Sequence, residues 1–126
     1  MKTIISVLIV CLKTIELKTT NKNSGAGAMY STYFGAYQIQ KGKINEKHWY
    51  RGIIDKKTGI WYSGRTWHIG PISYDGETGA AKIIFETQHD CPDSSTLARK
   101  MYDTGCNTGC NFVDDDSLYI GKRSII

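Results

Sequence analysis

The sequence predicts an all-β domain, mainly an antiparallel meander or small sandwich, with one short helical segment near residues 94–102. Three observations carry that expectation. Eight Tyr and three Trp occur in 126 residues, and large aromatics favour strands. From about residue 29 onward, short aromatic and β-branched runs alternate with turn residues. Glycine is frequent at 13 and proline scarce at 2, so turns are plentiful and strands uninterrupted. The length fits one domain. A hydrophobic content of 40% supports a real core and excludes a disordered chain.

Residues 1–20 read as a signal peptide. Met1-Lys2 is a short basic start, and an apolar run from Ile4 to Leu12 follows. That run is too short for a membrane span, which takes about 20 apolar residues, so no stable membrane insertion is expected. A competing reading of the same run is an N-terminal strand, because Ile and Val are strand formers. Lys13 follows Leu12 where a small cleavage-site residue would stand, and the only Ala-x-Ala is Ala26-Gly27-Ala28. Residues 21–28 have a linker composition. Residues 29–126 then form a single β-rich domain.

Within it, Tyr33 to Gln40 and His48 to Ile54 read as strands. Asp55-Lys56-Lys57-Thr58-Gly59 reads as a turn. Ile60-Trp61-Tyr62 and Thr66 to Gly70 flank a Ser63-Gly64-Arg65 turn, the signature of a hairpin. Ala80 to Thr87 and Ser117 to Ile120 are further strands. Ser94 or Ser95 would cap the helical segment, with Leu97, Ala98 and Met101 on one side.

The net charge of +4 is concentrated at the N-terminus, where Lys2, Lys13, Lys18 and Lys22 outweigh Glu16 by +3. The body carries the remaining +1. That balance argues against a nucleic-acid partner, which calls for a basic face on the folded body. It also argues against membrane lysis, which uses a basic amphipathic surface.

The cysteines are Cys11, Cys91, Cys106 and Cys110. If Cys11 leaves with the leader, three remain. One disulfide and one spare thiol are then expected, the spare being open to a bond with another chain. Cys91 with Cys106 or Cys110 would close a loop of about 15–20 residues, worth roughly 3 kcal/mol. The alternative is structural zinc on His89, Cys91, Cys106 and Cys110, four soft ligands that could sit tetrahedrally. It requires a reducing compartment, because an oxidising one favours the disulfide. No other cofactor is implied.

No nucleophile elbow or Cys–His signature accompanies His48, His68 and His89, so catalysis is not expected. Asp114-Asp115-Asp116 with Asn111 offers oxygen ligands, but lacks the alternate spacing of a calcium loop and reads as a solvated loop. The candidate contacts are the aromatics Trp49, Trp61, Tyr62 and Trp67, with Tyr50 beside them. Strand alternation sends Trp49 and Tyr50 to opposite faces, and likewise Trp61 and Tyr62. One of each pair is expected in the core, while the other could stack on a sugar ring or anchor a protein.

Gly35-x-Tyr37, Asn45, Trp49-Tyr50-Arg51, Ile60-Trp61-Tyr62, Trp67-x-Ile69-Gly70, Cys91-Pro92 and Asp116-x-Leu118-x-Ile120 form an ordered pattern. It resembles a small β-rich domain found singly or repeated in secreted and membrane-bound invertebrate animal proteins. The resemblance covers roughly residues 33–120. It implies an extracellular module for recognition or architecture, without enzymatic activity. The chain departs from that pattern in three places. Glu46-Lys47-His48 stands where Gly-Arg-Pro would be expected. Cys106 and Cys110 extend the late loop. A cysteine expected ahead of the Gly-x-Tyr strand is absent, which leaves the partner of Cys91 open.

The sequence therefore predicts a secreted binding or structural module whose partner is an extracellular protein or glycan. A lectin-like module is one alternative, with Trp61 or Trp67 as the stacking platform. An intracellular zinc-stabilised domain is the other.

Overall fold

The computed structural model describes residues 10–94, 98–105 and 111–123. Among these described residues, nine strands form one antiparallel sheet: β1 (Thr14–Thr19), β2 (Gly35–Ile44), β3 (Lys47–Gly52), β4 (Thr58–Ser63), β5 (Thr66–Pro71), β6 (Ile83–Glu86), β7 (Arg99–Asp103), β8 (Phe112–Asp114) and β9 (Leu118–Lys122). The order across the sheet is β8-β7-β6-β5-β4-β3-β2-β1-β9. Strands β1 to β8 are thus a plain meander, and β9 returns to pair with β1. The two edge strands are consecutive in sequence, so the sheet curls until its ends are joined by the short turn at 115–117.

The curl gathers one alternating set of side chains into a single core: Ile15, Leu17, Tyr37, Tyr50, Ile60, Trp67, Ile69, Ile83, Phe85, Leu118 and Ile120. The expected alternation holds in both aromatic pairs. Tyr50 is in the core and Trp49 faces outward, while Ile60 and Tyr62 share the inner side and Trp61 the outer. Buried hydroxyls find partners. Tyr50 donates to the Leu12 carbonyl at 2.7 Å, and burial raises its pKa.

The hairpin turns follow from backbone conformation. Asn45-Glu46 between β2 and β3, and Gly64-Arg65 between β4 and β5, all have positive φ (51°, 69°, 55° and 71°). Paired positive φ values give the primed turns that match strand twist. Glu46 occupies a conformation in which glycine would be relaxed.

Three expectations are corrected. Residues 11–20 were expected to belong to a leader and 21–28 to a linker. Instead Cys11 is bonded, β1 packs Ile15 and Leu17 into the core, and Gly25–Met29 form a short helix, α1. The folded body therefore begins by Cys11 rather than near Met29. The apolar residues Ile4 to Ile9 lie outside the described residues.

The second correction is the helical segment near 94–102. Pro92–Ser94 form a 3-10 turn, but Arg99–Asp103 are strand β7. Met101 and Arg99 point one way and Lys100 and Tyr102 the other. This lets Tyr102 pack on the core while Arg99 meets Asp114 at 2.7 Å. Ser95 and Leu97 lie outside the described residues.

The third is the disulfide. Cys91 pairs with Cys11, across 80 residues of sequence, rather than with Cys106 or Cys110. A loop of that length is worth about 4–5 kcal/mol in the chain-entropy account, more than the shorter loop expected. Cys106 and Cys110 lie outside the described residues, as does any bond to a second chain through them. Because the Cys91 sulfur is already bonded, it is not available as a thiolate for the zinc set with His89.

Candidate functional site

The aromatic candidates are mostly structural. Trp67 is 0% exposed, and its Nε1 donates to the His89 carbonyl at 2.9 Å, which fixes the loop after β6. Trp61 is 2% exposed on the outer face, edge-on to His68. Burial lowers the His68 pKa. Neither indole can serve as a stacking platform.

Trp49 and Tyr62 are half-buried, and each has a cation over its ring. Arg51 lies 5.2 Å from the Trp49 centroid and Lys47 lies 4.7 Å from that of Tyr62. Lys47 also binds Asp90 at 2.7 Å, which holds the Asp90 carboxyl below its usual range.

The Trp61 face is sealed by the chain itself. Gly59 and Gly70 are cross-strand partners on the outer side of β4 and β5. Their missing side chains let the connection to β6 lie flat on the sheet. A Cβ on Gly59 would come within 3.0 Å of Ile72, and one on Gly70 within 2.8 Å of the Ala80 carbonyl. Arg51 secures this strap by donating to the carbonyls of Ser73 and Tyr74, and it also donates to the Lys56 carbonyl in the turn between β3 and β4.

The acidic run is also used locally. Asp114 pairs with Arg99, while Asp115 accepts from the Ala26 amide and from both the Ser117 amide and hydroxyl. Asp115 therefore ties α1 to the turn before β9. Among the described residues no group of three His, Cys, Asp or Glu is placed to hold a metal ion. The three histidines are dispersed over β3, β5 and the loop after β6.

A different surface is open. A groove of about 510 Å³ lies between the outer side of β1–β9 and the segment from Lys22 to Phe34, a volume typical of ligand sites. Lys18 and Tyr119 are cross-strand partners there, and both point away from the core because Leu17, Leu118 and Ile120 point into it. Tyr119 is 40% exposed. Phe34, Lys22, Glu16 and Ser31 complete the working walls. Gly27 draws α1 close to the chain below, since a Cβ there would collide with the Asn21 carbonyl. Gly121, opposite Glu16, leaves open space: a Cβ would meet nothing within 4 Å.

None of these groove residues was among the sequence candidates. Lys18 and Lys22 fell in the presumed leader and linker. The available signal was the alternation Ile15-x-Leu17, which matches Leu118-x-Ile120 as two half-buried strands.

No protein-family model matches the chain, and no curated protein or solved structure matches it. Among the described residues no helix is long and apolar enough to cross a membrane.

Proposed function

We propose that this protein is an extracellular binding module without catalytic activity, and that the groove beside β1 and β9 is its recognition surface. The observation that carries the reading is the groove itself. It is an open, ligand-sized depression that combines aromatic, cationic and hydroxyl groups on a rigid sheet. The Cys11–Cys91 disulfide supports an oxidising compartment. Cys11 also stands ahead of the Gly35-x-Tyr37 strand, where the resembled extracellular pattern has a cysteine. The partner is an extracellular protein or a glycan.

The test has two parts. Expression in secreting animal cells should place disulfide-bonded protein in the medium. Full retention of reduced protein inside the cell would defeat the extracellular assignment. The purified chain is then probed against arrays of matrix proteins and glycans beside Ser31→Trp, which adds bulk at an exposed groove position. A ligand held by the parent and lost by the variant supports the reading. Equal retention by both, or conversion of the ligand into a released product, overturns it.

A further inference from the structure

We infer that the groove captures an extended peptide carrying an acidic residue, which adds to the sheet as a short strand beside the end of β1. The inference rests on the groove being the binding surface and names the class of partner it takes. The register of the sheet carries it.

Strand β1 outruns one of its neighbours. The β1–β2 pairing ends at Leu17 and Gly35, while β1 continues to Thr19 against β9. The backbone groups of an antiparallel strand address its two neighbours alternately. The Lys13 carbonyl accepts from the Ile39 amide of β2, and the Thr20 amide donates to the Ser117 carbonyl just before β9. Residues 13, 15, 17 and 19 therefore address β2. The amide and carbonyl of Thr19 point to where β2 would continue.

The chain does not supply that continuation. The register would bring Tyr33 opposite Thr19. The Tyr33 amide instead donates to the Tyr30 carbonyl at 3.0 Å, and its carbonyl accepts from the Tyr37 hydroxyl. Gly35 has a φ of 131°, a conformation that favours glycine, and the chain ahead of it leaves the sheet as a 3-10 turn over Ser31–Tyr33. Thr19 lines the groove. Among the described residues its N–H and C=O have no main-chain partner, so the groove holds a donor and an acceptor on an open stretch of strand edge. Such an edge is a template for a second extended chain. One residue of that chain can return both bonds as an antiparallel pair. Captured peptides gain affinity from these main-chain bonds and specificity from sites for alternate side chains.

The walls select among peptides. Phe34 and Tyr119 offer apolar surface to the side chains of an added strand. Lys22 is exposed on the wall and takes no part in the ion pairs of the described residues. A peptide carboxylate meeting it makes a charge-assisted hydrogen bond, about twice as strong as a neutral one.

The probe is a displayed library of random heptapeptides selected on the full chain, the selected peptide then being made synthetically. Hydrogen exchange followed by NMR reads the edge directly. In the free chain the Thr19 amide should exchange at least about tenfold faster than the Leu17 amide, which faces Gly35, and saturating peptide should slow it at least about tenfold. Methylation of one central peptide nitrogen should weaken binding at least about tenfold, as should Thr19→Pro, which removes the N–H. Thr19→Val loses the hydroxyl but keeps the amide, and should bind as the parent does. Lys22→Ala should weaken the peptide about tenfold. Lys56→Ala, in the turn before β4, is the control for non-specific attraction and should have no effect.

A Thr19 amide already slow in the free chain would mean that the edge is occupied, and would overturn the inference. This readout decides even if Thr19→Pro does not fold. Peptide binding that survives Thr19→Pro but is lost in Ser31→Trp would overturn strand addition while leaving the groove as the binding surface. Loss in Lys56→Ala as large as in Lys22→Ala would overturn the acidic preference as general charge attraction. If no peptide is selected and Ser31→Trp releases a glycan, the peptide class falls alone. If Ser31→Trp releases nothing at all, the groove falls with it.

Discussion

The outer face of the sheet is treated in two opposite ways. Over β4 and β5 a cross-strand pair of glycines, Gly59 and Gly70, is covered by the chain's own strap, and a whole tryptophan is buried there. Over β1 and β9 a glycine at 121 and an exposed tyrosine at 119 are left beside an open groove. Glycine has a different meaning in each place. At 59 and 70 it permits close approach of another segment, so the missing side chain is replaced by protein. At 121 nothing replaces it. A single-layer curled sheet needs cover only where large apolar side chains point outward. Trp61 demands the strap, whereas Lys18 and Tyr119 tolerate water. The covered half contributes stability, and the open half carries the groove.

That contrast is most severely tested at Trp61. Trp61→Ala should cost about 3–5 kcal/mol in a urea unfolding titration, as for a fully buried large aromatic. A loss below about 1 kcal/mol would mean that the strap does not seal the face. Gly70→Ala comes next. The new Cβ meets backbone at Ala80 and Ala81, at 2.8 and 3.1 Å, so the strap must shift. The expected cost is about 1–3 kcal/mol, measured the same way. Gly59→Ala should cost less, because its nearest neighbour is the Ile72 side chain. If Gly70→Ala is neutral, the close approach of strap and sheet is not a packing constraint.

Much of the covered half was legible in the sequence. The Ser63-Gly64-Arg65 turn and its flanking strands are local features, and the structure places a hairpin there. The role of Trp61 was not legible. Alternation assigns it to the outer face, but whether that face is wet depends on a strap formed from residues 71–82, whose path has no periodic signal. The open half was harder to read. β1 was masked by its position after an apolar run that resembles a leader, and Cys11 appeared disposable for the same reason. The pairings β1–β9 and Cys11–Cys91 join residues far apart in sequence, and such contacts leave no trace in local composition. Strand β7 misled in another way. Leu97, Ala98 and Met101 have helical spacing, but Arg99 answers Asp114 and Glu86 across the sheet, and Tyr102 packs on the core. Tertiary pairing overrode a weak local preference.

The finest test lies at Gly121, where the expected sign reverses. It lies within a short strand, with Ile120 pointing inward and Glu16 across from it. Its φ is not positive, and a Cβ there meets nothing within 4 Å. Glycine in a strand gives up conformational entropy and packs nothing, at a cost of about 0.5–1 kcal/mol relative to alanine. A β-branched residue suits the position. Gly121→Val should therefore raise stability by up to about 1 kcal/mol, in contrast to the loss at Gly70. A destabilised Gly121→Val would mean that this face is covered after all, and the distinction between the sealed and the open half of the sheet would fail at its simplest point.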